Sequence, residues 1–303
     1  MRPPTRQRLE GRPGPRTPRT AARAAADVRS ALSRWLPSPL LEASALLHLA
    51  AAAALAADPS RWRRVAAVVL ADHVVLAAAG MTPRGRLLGP NLTRLPADAG
   101  RRAVALTFDD GPDPAATPRV LDLLDEAGCR ASFFAVGRRA ERHAELAAEV
   151  ARRGHRIENH THRHPNALAL YGPLALGREI DRAQRALAAA AGRRPRWFRA
   201  PAGMRSPWLG GVLAGRGLAL ASWSRRGFDA VDRDPRRVAR RLIGGLAAGD
   251  VLLLHDGGSA RSAAGRPVVL EALPRVLEAM AARGLAGIAL PDPPGGPATG
   301  AAP

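Results

Sequence analysis

Two adjacent carboxylates, Asp109 and Asp110, stand where an apolar run at residues 103–108 ends, and Gly111-Pro112 then breaks the chain. A buried strand that ends in this way delivers acidic side chains to the rim of a sheet or barrel, where active sites are commonly built. Because neighbouring side chains on a strand point in opposite directions, we expect the two carboxylates to have different surroundings and different tasks. An ordinary acidic turn is the alternative interpretation of these residues.

Histidines follow another apolar run. His160 and His164 are four residues apart, directly after residues 156–159. In a helical turn this spacing places both rings on one face, where they can bind one divalent metal ion. With a carboxylate such as Asp110 they would form a two-histidine, one-carboxylate set with open positions for water and substrate. His162 has the wrong spacing for the pair, and we expect it to be solvated or to lie behind the ligands.

Two more strand-like runs end in residues that can do chemistry. Arg199 stands before a loop that contains Pro201 and Gly203. Its guanidinium can hold a carboxylate by a bidentate pair, and N–H groups of the loop can face a developing oxyanion. His255 ends the run at residues 251–254 and is a candidate proton donor, with a turn-capping histidine as the alternative. The convergence of such residues at successive strand ends favours a catalytic site.

Strand and helix patterns alternate from residue 101 to about residue 290. Helical segments begin near prolines and end at glycines, as helix termini require. Such alternation predicts parallel strands with right-handed crossovers, and about seven units in this length predict an α/β fold, a distorted and incomplete (β/α) barrel. The predicted strands are the apolar runs at 103–108, 131–136, 156–159, 197–199, 218–223, 250–255 and 286–290.

The same segment resembles the polysaccharide deacetylases, carbohydrate esterase family 4, which are metal-dependent enzymes on a distorted β/α barrel. The resemblance is carried by four short motifs. They are Thr107-Phe108-Asp109-Asp110-Gly111-Pro112, His160-Thr161-His162-Arg163-His164, Arg199-Ala200-Pro201-Ala202-Gly203 and Leu253-Leu254-His255.

The resemblance implies a task for the two aspartates of the first motif and for two histidines of the second. Asp109 would be the general base, and Asp110, His160 and His164 would hold a divalent metal ion. Zn²⁺ is the expected ion, and Co²⁺ or another divalent ion is the alternative. No other cofactor is expected.

The resemblance also implies that Arg199 orients the base, that His255 is the general acid and that Asp229 supports this histidine. The motif around Asp229 departs from the common family pattern, because Arg226 replaces its first aspartate and Ala230 its tryptophan. Ala202 likewise stands where many members have an aromatic residue. These departures concern the lining of the sugar groove, so the identity of the saccharide stays open.

The basic composition does not by itself indicate a nucleic-acid partner. The net charge is +20, but all 46 basic residues are arginine and they are spread along the chain. Together with the richness in alanine, glycine and proline, this indicates a compositional bias, and nucleic acid is not an expected partner. Cys129 is the single cysteine, which excludes an intrachain disulfide and a cysteine metal site.

Two alanine-rich apolar segments, at residues 40–57 and 65–81, precede the barrel pattern. Each is about the shortest length that spans a bilayer, roughly 17 residues, although both carry polar side chains. We expect a hydrophobic helical hairpin at 39–81 that associates with a bacterial inner membrane; a soluble hairpin packed on the main domain is the alternative. The remaining predicted units are a basic disordered arm at 1–38, a linker at 82–100, the catalytic domain at 101–291 and a disordered tail at 292–303.

The expected reaction is hydrolysis of an N-acetyl group, a linear amide, on a hexosamine-containing saccharide of the peptidoglycan or chitin type. A metal ion would polarise the acetyl carbonyl and lower the pKa of its water, Asp109 would take a proton, and His255 would protonate the leaving amine. An esterase for O-acetyl groups and a non-catalytic, membrane-attached saccharide-binding protein are the alternatives. The sequence leaves open which side of the membrane the domain faces.

Overall fold

The computed structural model describes residues 36–99 and 101–294. The predicted basic arm at 1–38 and the predicted tail at 292–303 lie almost entirely outside the described residues.

A single parallel sheet forms the centre of the main domain. Its strand order is β5-β4-β3-β2-β1-β7-β6, and β8 pairs with the beginning of β1. The predicted incomplete (β/α) barrel is therefore confirmed, with one short strand, β6, that the apolar pattern did not predict. In the described part of the chain the strands are β1 (Ala103–Asp109), β2 (Ser132–Ala135), β3 (Arg156–Asn159), β4 (Trp197–Phe198), β5 (Ala219–Leu220), β6 (Arg225–Arg226), β7 (Val251–His255) and β8 (Ala286–Ile288).

The helices begin and end where the sequence supplies caps. Asp234 accepts hydrogen bonds from two backbone N–H groups at the start of one helix, and Gly192 ends another in the left-handed region at φ 68°. The described helices are α1 (Pro39–Ala57), α2 (Trp62–Gly80), α3 (Thr117–Glu126), α4 (Gly137–Arg142), α5 (Ala144–Arg152), α6 (Pro173–Ala191), α7 (Leu209–Ala214), α8 (Pro235–Ile243) and α9 (Val268–Ala281).

The side chains of strand β1 alternate between the outer core and the interior of the barrel. Val104, Leu106 and Phe108 are fully buried in the main core, which lies between the sheet and the surrounding helices. Thr107 and Asp109 point the other way, into the barrel, because successive strand side chains alternate. The outward residues hold the sheet to its helices, and the inward ones are free for the site.

Helices α1 and α2 form the predicted hydrophobic hairpin. Ser44 Oγ of α1 donates a hydrogen bond of 2.7 Å to Asp72 Oδ2 of α2. Among the described helices, α1 alone is long and apolar enough to cross a membrane, judged by length and composition. Helix α2 has the same length but contains Arg63, Arg64 and Asp72, so a second span is not supported.

The segment after α2 is fastened to the main domain. The backbone N–H of Arg205 donates to the carbonyl of Gly80 at 2.9 Å, and Ser222 Oγ donates to the carbonyl of Pro83 at 2.9 Å. Further along, Leu92 forms a parallel bridge with Ala221. The hairpin is therefore attached beside the loop that follows β4.

Candidate active site

A buried ion pair lies inside the barrel at the end of β1. Arg199 is fully buried, and its Nη1 donates to Asp109 Oδ1 at 2.6 Å and to Thr107 Oγ1 at 2.9 Å. Its Nη2 donates to the carbonyl of Ser222 at 2.8 Å, and its guanidinium carbon lies 4.0 Å from the ring centre of Phe134. Burial lowers the pKa of Arg199, but an arginine remains charged. The contacts fix the carboxylate of Asp109 in one orientation.

The second carboxylate of the pair lies in different surroundings. Asp110 Oδ1 is 3.1 Å from His164 Nε2 and 3.4 Å from His160 Nε2. One possible ligand atom from each of these three side chains lies within 4.8 Å of the other two. Burial alone would raise the pKa of Asp110, but the hydrogen bond and charge of His160, with the charge of His164, lower it below its ordinary value. The carboxylate is therefore held ionised.

These three residues fit a divalent metal ion. Asp110 Oδ1 is buried and has no hydrogen-bond partner, which is costly for a charged oxygen unless a cation satisfies it. His160 Nδ1 donates to the carbonyl of Arg199 at 2.9 Å, so Nε2 is the nitrogen that faces Asp110. Burial alone would lower the pKa of His160, but the neighbouring carboxylates of Asp109 and Asp110 raise it, and a metal ion bound at Nε2 would replace the proton there. Burial lowers the pKa of His164 and favours its neutral form, which is the form that binds metals.

A histidine at the end of the neighbouring strand stands beside Asp109 and is held by an aspartate from a loop. His255 is the register partner of Asp109 between β7 and β1. Its Nδ1 donates to Asp229 Oδ1 at 2.9 Å, and its backbone N–H donates to Asp229 Oδ2 at 2.7 Å. Burial alone would lower the pKa of His255, but the buried carboxylate of Asp229 raises it to about 9. The ring therefore carries a proton at neutral pH.

Strained backbone is concentrated in these loops. A positive φ at a residue other than glycine costs on the order of 1–3 kcal/mol and persists where surrounding structure enforces it. Two of the three residues that fit a metal ion, Asp110 at φ 71° and His164 at φ 56°, adopt it. Within residues 36–99 and 101–294, the positions with this conformation are Asp110, Thr161, His164, Ala202 and Phe228. All of them lie in or next to the four motifs or the Asp229 segment.

One buried carboxylate of the site was missed by the sequence analysis. Asp256 accepts a hydrogen bond from Thr117 Oγ1 at 2.6 Å, and its other oxygen has no partner. Burial, with a smaller contribution from the charge of Asp110, raises the pKa of Asp256 to about 7. A Cβ at Gly111 would overlap this carboxylate, so only glycine lets the ends of β1 and β7 approach so closely. The available signal was an aspartate directly after the strand-end histidine.

His162 is not solvated as one expectation had it. It is 6% exposed, and a Cβ at Gly137 would touch its Nδ1. The backbone carbonyl of His162 accepts from the N–H of Arg138 at 2.9 Å. The residue packs the loop that carries His160 and His164 against α4.

The chain is similar to known carbohydrate deacetylases. Residues 97–214 match the family model described as polysaccharide deacetylase. A chitooligosaccharide deacetylase from Bradyrhizobium is 36% identical over 196 residues, which are 61% of this chain and 88% of that protein. The chain belongs to the polysaccharide deacetylase family. The curated relatives that it matches are named as deacetylases of chitooligosaccharides and of peptidoglycan, which are carbohydrate-deacetylating hydrolases.

Other relatives are also named as carbohydrate deacetylases or esterases. A peptidoglycan-N-acetylglucosamine deacetylase from Bacillus cereus is 32% identical over 173 residues, 53% of this chain and 76% of that protein. A solved family 4 carbohydrate esterase from Streptomyces lividans, in complex with acetate, is 30% identical with a TM-score of 0.56 and covers 62% of this chain and 92% of that one.

Arginine and aromatic contacts order the segment around Asp229, at residues 225–230. Arg226 lies 4.8 Å from the ring centre of Phe228, and Arg241 lies 5.5 Å from it. Phe228 is 43% exposed. Asp229, next in sequence, keeps its bonds to His255, so Arg226 and Ala230 leave the histidine support in place.

Proposed function

We propose that this polysaccharide deacetylase removes N-acetyl groups from a hexosamine-containing saccharide of the peptidoglycan or chitin type. The observation that carries the proposal is that a two-histidine, one-carboxylate set adjoins a carboxylate held by a buried arginine and a histidine held by a buried aspartate. Hydrolysis of an amide needs these three parts: polarisation of the carbonyl, a base for the water and an acid for the amine.

Asp110, His160 and His164 are the proposed metal ligands. Two nitrogen donors and one oxygen donor suit Zn²⁺, and Co²⁺ accepts the same set. A bound ion of this kind supplies Lewis-acid polarisation of the acetyl carbonyl and lowers the pKa of a water. The hydrogen bond from His160 Nδ1 to the Arg199 carbonyl keeps this ring oriented for the task.

Asp109 is the proposed general base. Arg199 engages its Oδ1, while its Oδ2 lies 3.9 Å from His160 Nε2, on the side of the metal-ligand set. This oxygen can therefore take the proton of a water that attacks the acetyl carbonyl. Arg199 acts through Asp109 by fixing its direction, and it balances the carboxylate's charge in the barrel interior.

His255 is the proposed general acid. Because Asp229 accepts from Nδ1, the second ring proton of the charged form sits on Nε2. An amine leaves a tetrahedral intermediate as a protonated group, and His255 can give it this proton. The backbone N–H of Ala202, an exposed residue held at φ 53° in the loop after β4, is the proposed donor to the developing oxyanion.

Acetate release from N-acetylated chitooligosaccharides and peptidoglycan fragments tests the proposal. We expect release by the full chain, and its loss in Asp109→Asn, in His160→Gln and after chelation, with recovery when Zn²⁺ or Co²⁺ is returned. His143→Gln, which changes a histidine outside the site, is the matched control and should keep full activity. Acetate release that persists in both variants and in the chelated protein would overturn the proposal.

The two alternatives give different results with the same chain. An O-acetyl esterase would release acetate from an O-acetylated sugar and leave its N-acetylated counterpart intact. A non-catalytic binding protein would retain the oligosaccharide on an affinity column and release no acetate with any added metal. The buried, partnerless oxygen of Asp110 favours the metal-dependent enzyme over the binding protein.

The hairpin at 39–81 is proposed to hold the catalytic domain, residues 101–291, at the bacterial inner membrane. The composition of α1 and its high exposure support this: 6% of its candidate membrane window is buried. A reporter inserted after Met81 tests which side of the membrane the catalytic domain faces. Assembled cell-wall polymer lies outside the inner membrane, so reporter activity in the periplasm is expected, and activity confined to the cytoplasm would contradict such a substrate.

A further inference from the structure

A second group of metal-ligand side chains lies in the hairpin, separate from the active site. His48 comes from the middle of α1, and Asp72 and His73 come from the middle of α2. One possible ligand atom from each lies within 4.8 Å of the other two. The two imidazole rings meet edge to face, with their centres 5.2 Å apart. The donor set, two histidines and one carboxylate, is the same as that of the active site.

Both histidines are held in one tautomer by the backbone of their own helix, which leaves Nε2 of each ring free to bind a metal ion. His48 Nδ1 donates to the carbonyl of Ser44 at 2.8 Å, and His73 Nδ1 donates to the carbonyl of Val69 at 2.7 Å. A carbonyl oxygen only accepts, so the proton of each neutral ring is on Nδ1 and the lone pair is on Nε2. A hydrogen bond from the second ring nitrogen to a carbonyl oxygen is the usual support of a ligating histidine.

The carboxylate is also held in place. The side chain of Asp72 is 8% exposed, and its Oδ2 accepts the hydrogen bond from Ser44 Oγ at 2.7 Å. Ser44 is the one buried residue of α1. Three ionisable or strongly polar side chains at mid-length of two apolar helices are expensive unless they serve one another or a ligand, and in a membrane segment they mark a functional site.

We infer that the hairpin binds one divalent transition-metal ion through His48, Asp72 and His73. Two imidazoles and one carboxylate favour Zn²⁺, Co²⁺ or Ni²⁺ over Mg²⁺ and Ca²⁺, which prefer oxygen donors. The ion crosslinks α1 to α2 and neutralises the carboxylate of Asp72 between them. The remaining coordination positions lie on the side of the hairpin where the His48 side chain is 41% exposed.

Metal stoichiometry of the full, untagged chain in detergent micelles tests the inference without relying on activity. Equilibrium dialysis against Co²⁺, followed by metal analysis, is expected to give two ions per chain, one for each donor set. The double variant His48→Gln/His73→Gln should bind one ion and keep deacetylation. The double variant His160→Gln/His164→Gln should also bind one ion, while the four substitutions together should leave none.

Milder variants separate ligation from folding. Asp72→Asn keeps the shape and the bond from Ser44, and it should lose the hairpin ion while circular dichroism shows unchanged helix content. Ser44→Ala removes only the support of the carboxylate and should weaken Co²⁺ binding about 10–100-fold. His143→Gln is the matched control and should keep both ions.

The stoichiometry also identifies the result that would overturn the inference. It fails if the wild-type chain binds one ion and His160→Gln/His164→Gln binds none, because the hairpin then holds no metal. It fails equally if His48→Gln/His73→Gln retains two ions. Failure of the proposed catalytic function has a different signature, since the hairpin ion would then remain in a chain that releases no acetate.

Discussion

Asp229 holds His255 by two hydrogen bonds, one to the ring Nδ1 at 2.9 Å and one to the backbone N–H at 2.7 Å. A single carboxylate thus fixes both the position of the strand end and the direction of the ring. Asp229 is itself fully buried, so its charge is exerted with little screening. This raises the pKa of His255 to about 9 and sets the alkaline limit within which the ring can donate a proton.

Replacement of Asp229 should move the alkaline limb of the pH profile. In the wild-type chain the acid form of His255 is present below pH 9 and is lost as the pH rises through that value. Asp229→Asn removes the charge that raises this pKa, so the decline of kcat should begin at a lower pH, with a reduced maximum. Deacetylation rates from pH 5 to 10 measure the shift. Asp98→Asn, at an exposed aspartate, is the control, and an unchanged alkaline limb in Asp229→Asn would exclude the assigned role.

The same pair makes stability depend on pH. A histidine whose folded pKa lies above its unfolded value adds stability that is fully present below the unfolded value, about 6.5. This stability is lost as the pH rises through the folded value of about 9. The fall in Tm of the wild-type chain between pH 6.5 and 9 should therefore be smaller in Asp229→Asn, which differential scanning calorimetry can measure.

Arg199 should be needed for both folding stability and catalysis. Arg199→Met leaves Asp109 as a buried charge without a partner, which costs roughly 3–5 kcal/mol, and it should lower Tm and abolish acetate release. Arg199→Lys keeps the charge but cannot reach Asp109, Thr107 and the Ser222 carbonyl together, so it should fold and lose most of its kcat with little change in KM. Arg152→Met, at an exposed arginine, is the control. A fully active Arg199→Met enzyme would exclude the assigned positioning role.

Gly111 should tolerate no side chain. The Cβ of Gly111→Ala would overlap the carboxylate of Asp256, so the end of β1 must move and carry Asp110 with it. We expect at least a 100-fold loss of kcat/KM together with a lower Tm, the size of effect that misplacement of a reacting group by about 1 Å produces. Gly172→Ala is the control, because nothing lies within 4 Å of the Cβ there. Equal behaviour of the two variants would show that the contact with Asp256 is not restrictive.

Metal binding at the active site should stabilise the barrel. An ion that binds only the folded chain adds about 2.7 kcal/mol at 100 times its dissociation constant. Zn²⁺ should therefore raise the Tm of a chain whose hairpin ligands are replaced by His48→Gln/His73→Gln. Addition of His164→Asn should remove the increase, because asparagine tolerates the φ of 56° at this position but supplies no imidazole. A Zn²⁺-dependent increase that survives this change would place the ion elsewhere.

The barrel was predictable from the sequence because its apolar runs and its helix caps indicate the same element boundaries. Strand β1 lies at Ala103–Asp109, against an apolar run at 103–108, and β7 lies at Val251–His255, against a run at 250–255. The apolar pattern does not predict strand β6, because its two residues, Arg225 and Arg226, are not apolar. It exists through pairing with Leu252 and Leu253 of β7, which no local pattern reveals.

The residues of the active site were predictable as types at strand ends, but their arrangement was not. The positive φ values of Asp110 and His164 are enforced by tertiary contacts, because local preference alone opposes them. The burial of Asp256 beside Gly111 also depends on two strands far apart in sequence. In the sequence, His48 and His73 are isolated polar residues in two apolar segments. Their proximity depends on the packing of α1 against α2, which the sequence does not reveal.

The bonded connection between α2 and the loop at Pro201–Gly203 determines how the domain meets its substrate. A flexible linker of about 20 residues would let a domain sweep through roughly 25 Å. Here the carbonyl of Gly80 is bonded to Arg205, and Pro83 packs against Gly203, so the catalytic opening keeps one height and one angle relative to the hairpin. If the hairpin lies in a bilayer, as proposed, the enzyme cannot search outward. Turnover would then depend on how often an acetylated strand passes at that height, and so on the density of the enzyme in the membrane and the motion of the polymer.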